Sequence, residues 1–297
     1  MKWKTARRSE NVNDQREGTD ARNKTGIAGM AIVAAVVAGM GTYWAELTEK
    51  EGEFTAGMAQ AQYQAALGGM AIADPHKLFT EVILGSTEDV WKKRFAEMGR
   101  EYQAPTLSLV TGKVNTPCND ANAPVDFIQG PSYCPANKQI YVDISAFEKW
   151  ATEGRMTGEF VEAYALAHEV GHHVQTELGL TKPLHEALVA KKEIKGATGL
   201  LVRAELQADC LAGIWAAEAL LKDDVLLTKG DADALEIAAT TLIGDDKDVR
   251  PGFKKMMPQD YGHGTAKQRL DWVLKGMQTG LQSDSLNGCD TFNAKTL

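Results

Sequence analysis

The order of patterns along the 297-residue chain predicts an α+β fold. Short β-branched and aromatic runs at 103–111 and 139–144 read as strands, and long stretches of helical apolar periodicity follow after residue 157. The two classes are segregated along the chain instead of alternating, which separates α+β from α/β. A third observation adds a membrane helix: an uncharged apolar run of 21 residues, Thr25 to Ala45, near the N-terminus. Hydrophobic residues make up 44% and charged residues 24%, which excludes a disordered, collagen-like or polytopic membrane chain. With a net charge of −8, general affinity for nucleic acid is not expected.

The charge is unevenly spread. Residues 1–25 hold seven basic and four acidic side chains, a net +3, leaving −11 on the rest. The 21-residue run between these regimes is long enough for a helix of roughly 30 Å, about one bilayer thickness. Basic residues precede it, Glu46, Glu49, Glu51 and Glu53 follow it, and Tyr43 and Trp44 sit where interfacial anchors belong. The expected organisation is a basic cytoplasmic tail (1–25), a transmembrane anchor (26–45), a linker rich in Ala, Gly and Gln (46–74) and a globular domain (75–297). That domain would be periplasmic or extracellular, on a single-pass protein of the cell membrane.

Within the domain, Ser86-Thr-Glu-Asp89 has the form of a helix N-cap, followed by Val90, Trp91, Phe95 and Met98 at helical spacing. After the strands, helices are expected at 157–179, 197–222, 231–243 and 265–280. Cys118, Cys134, Cys210 and Cys289 all lie in this part, and an even number in an oxidising compartment favours disulfides with three connectivities open. Cys118 and Cys134 share a loop dense in Pro, Asn and Gly that a crosslink would restrain; that pairing leaves Cys210 with Cys289. No Cys-x-x-Cys occurs, so a thiolate zinc site is not supported.

The chemistry concentrates on two helices. His168-Glu-Val-Gly-His172 places two imidazoles one turn apart on one helix face, able to meet one tetrahedral cation, while Glu169 is rotated by about 100° and can reach a water on that cation. Gly171 inside an otherwise apolar helix costs about 1 kcal/mol relative to Ala and points to close approach of another backbone. A catalytic zinc takes three protein ligands and keeps one position open. On the second helix Glu205 can supply the third ligand. Asp209, one turn on, can accept the free ring N–H of a ligand histidine. Leu206, Ala208, Leu211, Ala212, Ile214 and Trp215 leave little solvated face there. His173 is rotated away from His172, and His76 and His185, beside Pro75 and Pro183, read as loop residues.

The pair His168-Glu-x-x-His172 and Glu205-x-x-x-Asp209 resembles the gluzincin zinc peptidases. The strings Ala167-His-Glu-Val-Gly-His-His-Val-Gln175 and Glu205-Leu-Gln-Ala-Asp-Cys-Leu-Ala-Gly213 are similar to the bacterial putative neutral zinc metallopeptidase family. The likeness extends to Asn11-Val-Asn-Asp14, Gly130-Pro-Ser-Tyr-Cys-Pro135, His263-Gly-Thr-Ala-Lys-Gln-Arg269 and Cys289-Asp-Thr-Phe292. The resemblance implies a zincin-like domain with a small sheet followed by a mostly helical half. It also implies one Zn2+ held by His168, His172 and Glu205, with Glu169 as general base and Asp209 behind a ligand histidine. His263, six residues before Arg269, resembles an element of membrane-associated gluzincins in which a His-Pro precedes an Arg, and is the candidate donor to the developing oxyanion, the alternative being a cap on the helix expected at 265–280; here Gly264 replaces the proline. The strand Ile140–Ile144 is the resemblance-based candidate for pairing with extended substrate. The reading is a membrane-anchored zinc metalloendopeptidase acting on a protein or peptide. A catalytically weak zinc-binding scaffold of the cell envelope is the alternative, and retention of Glu169, which metal binding does not need, favours the enzyme.

Overall fold

The computed structural model describes residues 4, 6–16, 74–119, 124–127, 130–152, 159–221, 244–246, 256–282 and 285–297. The expected anchor at 26–45 and helix at 231–243 lie outside the described residues, as does the linker apart from Asp74. Among the described residues no helix is long and apolar enough to cross a membrane. The elements run β1 (Val12–Asp14), α1 (Pro75–Glu97), β2 (Thr106–Leu109), β3 (Lys113–Val114), β4 (Val125–Asp126), β5 (Ser132–Cys134), β6 (Gln139–Val142), α2 (Ser145–Thr152), α3 (Glu159–Leu178), α4 (Lys182–Val189), α5 (Leu200–Leu221) and α6 (Ala266–Gln282).

Apart from α1, which lies between β1 and β2, the strands precede the long helices, and the small sheet with segregated helices fits the α+β reading. The main sheet has the order β1-β2-β6-β5, with β1, β2 and β6 parallel and β5 antiparallel on the edge. One face packs into a continuous core that joins Ile83 and Trp91 of α1, Leu107 and Ile140 of the sheet, Leu166 of α3 and Trp215 of α5. The other face carries a smaller cluster in which Phe127 stacks on Tyr141, ring centroids 5.2 Å apart, beside Cys134. Both disulfides form, Cys118–Cys134 and Cys210–Cys289. The first ties the loop after β3 to the edge strand.

The reading of Ser86–Asp89 as a helix start does not hold. α1 begins eleven residues earlier, with Pro75 in the first position, where a missing N–H costs nothing. The polar residues are mid-helix because each has a partner elsewhere: the Thr87 hydroxyl donates to the Leu84 carbonyl, and the Ser86 hydroxyl accepts from the Trp215 indole. Glu88, 2% exposed, accepts from Arg7 (2.9 Å), Ser9 (2.5 Å) and Asn11 (2.8 Å). A buried carboxylate needs such donors, and here the N-terminal segment supplies them.

Those contacts overturn the separate tail. Val12–Asp14 are hydrogen-bonded into the sheet beside Leu107–Leu109, the Ser9 N–H donates to the Glu81 carbonyl, and Lys77 lies 3.5 Å from Asp14. Described residues up to Asp14 and those from His76 onward form one compact unit, with Gln15–Pro75 a second. Strand pairing cannot bridge a bilayer. Val12–Asp14 therefore lie on the same side of any membrane as β2. His76 and His185 also differ from expectation: His76 is in the first turn of α1, 3.7 Å from Glu162, and His185 is in α4.

The helical half is built by close crossings. A Cβ at Gly171 would lie 2.8 Å from the Ala208 carbonyl oxygen, so α3 and α5 touch backbone to backbone at that point. Gly213 of α5 and Gly276 of α6 make a second such crossing. α3 then stops at Gly179 (φ +68°), with Leu180 N–H closing on the Gln175 carbonyl.

Two outcomes are expected. Gly171→Ala should lower stability by about 1–3 kcal/mol, because the clash is with backbone that cannot rotate away, readable as a lower denaturant midpoint. In intact cells, a membrane-impermeant maleimide should give the same outcome at Glu10→Cys and Leu188→Cys, both modified or both spared, both positions being exposed on one folded unit; modification of one alone would contradict the β1–β2 pairing.

Candidate metal centre

The crossing at Gly171 places the motif of α3 against that of α5. One donor atom each from His168, His172 and Glu205 lie within 4.8 Å of one another. The Nε2 atoms of His168 and His172 are 3.1 and 3.4 Å from the two Glu205 oxygens, and the rings stand nearly perpendicular with centroids 4.7 Å apart. Two imidazole nitrogens and a carboxylate oxygen converging from two rigid helices fit a catalytic zinc site.

Both histidines are held from behind, and differently. His168 Nδ1 donates to Asp209 Oδ1 at 2.7 Å, and that carboxylate is fully buried. It also accepts from the Tyr164 hydroxyl and, at 2.7 Å twice, from Nε and Nη2 of Arg269, which is 2% exposed. Burial would push the Asp209 carboxyl up, but Arg269 and His168 outweigh it and hold the group far below the usual carboxylate range. At His168 burial disfavours the charged ring, yet the Asp209 carboxylate prevails and raises its pKa to about 10. His172 Nδ1 instead meets the neutral side chain of Gln175 at 2.9 Å. His172 is also raised, as Glu205 overcomes burial, and Glu205 is pulled well down by His172 and His168 against its own burial.

Glu169 stands outside the donor set. Its Oε2 accepts the backbone N–H of Tyr133 on β5 at 2.7 Å, and burial pushes its pKa up against the pull of His168 and His172. Tyr133 is in turn tied through its hydroxyl to His173 Nδ1 at 3.1 Å, and His173 Nε2 bonds to the Gln103 carbonyl. His173 is a fully buried brace between sheet and helix. The edge of the sheet next to the site is thus β5. The strand proposed for substrate pairing, Ile140–Ile144, is interior: β6 is bonded on both sides, to β2 and β5. A run of apolar residues shows that a strand is buried but not which neighbour flanks it.

His263 lines the same cleft as Glu205 and Glu169, a cavity of about 870 Å³. Its Nδ1 lies 3.3 Å from Asp245 Oδ1, and the other Asp245 oxygen accepts the N–H groups of Gly262, His263 and Gly264. The Asp245 contact raises the His263 pKa over the effect of burial. His263 does not cap α6; Thr265 and Gln268 do so reciprocally, with Asp246 on the Ala266 N–H. Gly264 has φ +89°, a conformation closed to proline, which accounts for its departure from the His-Pro pattern. Asp245, Tyr133, Tyr164, Gln175 and Gln207 were not assigned roles by the sequence reading. Only Gln175 carried a usable signal, being polar, in an apolar helix and three residues from His172.

The sequence model of the family described as "Putative neutral zinc metallopeptidase" matches residues 1–292. Among curated proteins, the chain is 34% identical to "Uncharacterized protein YpfJ" of Escherichia coli K12, covering 98% of this chain and 99% of that protein. It is 37% identical to "Uncharacterized protein Rv2575" of Mycobacterium tuberculosis H37Rv and to "Uncharacterized protein Mb2605" of Mycobacterium bovis, covering 71% of this chain and 69% of each relative. No solved structure matches the chain. With the family's match spanning nearly every residue and the His168, His172, Glu205 constellation assembled, the chain belongs to the putative neutral zinc metallopeptidase family.

Proposed function

We propose that this protein is a zinc-dependent endopeptidase that hydrolyses peptide bonds with Glu169 as general base. The observation that carries the reading is the position of Glu169: beside three converging donors, in the open cleft, and held by the edge strand instead of by the ligand set. A zinc ion on His168, His172 and Glu205 would supply Lewis acidity and a water of lowered pKa.

The chain's own groups supply the rest. The Glu169 carboxylate takes a proton from the attacking water and passes it to the departing amine nitrogen, a task suited to a carboxyl whose pKa burial has raised. His263, steadied by Asp245, offers an N–H to the carbonyl oxygen as negative charge develops there. The outer side of β5 offers main-chain groups to an extended peptide, which gives affinity with little sequence preference. Asp209, backed by Arg269 and Tyr164, keeps His168 in the tautomer that directs Nε2 into the site. The scaffold alternative leaves the Tyr133–Glu169 contact and the His263–Asp245 pair without a task.

The decisive experiment measures zinc content and cleavage of an unfolded protein substrate for wild type and Glu169→Gln. Stoichiometric zinc in both, with turnover lowered about 10²- to 10⁴-fold in the variant, is expected; zinc-loaded wild type that cleaves nothing would overturn the peptidase reading. Protons and zinc compete for the same imidazoles, and the His168 pKa of about 10 means the metal must displace a proton at neutral pH. Zinc affinity should therefore increase with pH below that value, about tenfold per unit for each proton released, measurable by chelator competition.

A further inference from the structure

The hydrogen bonds behind His172 can run in only one direction. Gln175 and Gln207 are buried, 1% and 3% exposed, inside the α3–α5 contact. The Gln175 amide nitrogen donates to the Ala204 carbonyl at 2.7 Å and to Gln207 Oε1 at 3.1 Å. The Gln207 amide nitrogen donates to the Cys289 carbonyl at 3.0 Å. A backbone carbonyl accepts and never donates, so Ala204 determines which end of Gln175 is nitrogen and Cys289 does the same for Gln207. Gln175 Oε1 is left facing His172 Nδ1 at 2.9 Å, and an oxygen there requires the proton to be on the ring.

We infer that Gln175 and Gln207 are positioning residues that hold the His172 Nδ1–H and so reserve Nε2, the nitrogen on the Glu205 side, as the one that gives its lone pair to the metal, with the C-terminal segment at Cys289 as their anchor. The inference rests on the zinc reading of the site. The anchor is itself fastened: Cys289 is crosslinked to Cys210, three residues beyond Gln207 on α5, and Arg203 holds the Thr291 and Ala294 carbonyls. The two ligand histidines are thereby set by different means. His168 has a carboxylate whose charge Arg269 balances, while His172 has a neutral amide chain that orients the ring without adding a second buried negative charge near Glu205.

The test uses 15N-histidine-labelled full-length protein, wild type, Gln175→Leu and Gln207→Leu, loaded with zinc. Long-range proton–nitrogen correlation reads the tautomer, and chelator competition with zinc alone reads the affinity. Expected are the Nδ1–H tautomer in wild type, a mixed tautomer with zinc binding about 10- to 100-fold weaker in Gln175→Leu, and a smaller loss in Gln207→Leu, which leaves the Ala204 acceptor in place. An Nε2–H tautomer in wild type, or unchanged zinc affinity in folded Gln175→Leu, would overturn the inference. Should Gln175→Leu not fold, the wild-type tautomer and Gln207→Leu decide. Protein that shows the Nδ1–H tautomer and tight zinc but cleaves no peptide would refute the peptidase reading and leave this one standing.

Discussion

The backbone contact between Gly171 and Ala208 sets the distance from which everything at the metal centre follows. Two helices with side chains between them lie about 8–10 Å apart. Glycine lets α3 and α5 come closer, and only then do the short carboxylate of Glu205 and the imidazoles of His168 and His172 meet. The same approach buries Asp209 against His168. A buried carboxylate is costly unless paired, which brings in α6 through Arg269. Three helices are thus tied at one point, α3 to α5 by packing and α6 by charge in addition to its own close crossing with α5.

The proposed base enters from the other side. Glu169 faces the sheet, where the Tyr133 N–H meets it and His173 holds Tyr133 by its hydroxyl. The Cys118–Cys134 disulfide secures the residue next to Tyr133 on a strand only three residues long. A short edge strand has few ladder bonds of its own, so its position relative to Glu169 depends on these side-chain and covalent ties. The three candidate donors therefore stand on long rigid helices, and Glu169, the proposed base, is aligned by a braced edge.

Several elements were legible because their signals are local. Helical periodicity located α3, α5 and α6 to within three residues, and His168-Glu-x-x-His172 announced its own geometry, since i,i+4 spacing on a helix has one spatial meaning. Errors arose where a local signal had two readings. Ser86–Asp89 has the composition of a cap, but Glu88 is a buried acceptor for Arg7, Ser9 and Asn11. Residues 7–14 have the composition of a basic tail, but they complete the sheet from some 95 residues away in sequence. Strand order was likewise invisible: β5 is too short for periodicity to show, and it is the edge that faces Glu169.

By itself the sequence determined which side chains could converge on a metal, the place of Glu169 beside them and the α+β class, because each depends on residue type and spacing within one element. Tertiary structure alone decided the partners: that Arg269 neutralises Asp209, that Asp245 steadies His263, that the amide chain from His172 ends on the Cys289 carbonyl, and that the N-terminal strand shares a sheet with the metal domain. These relations join residues 18 to 117 positions apart, mostly through buried polar groups. A buried polar group must find a partner, but its own sequence neighbourhood does not say where that partner is.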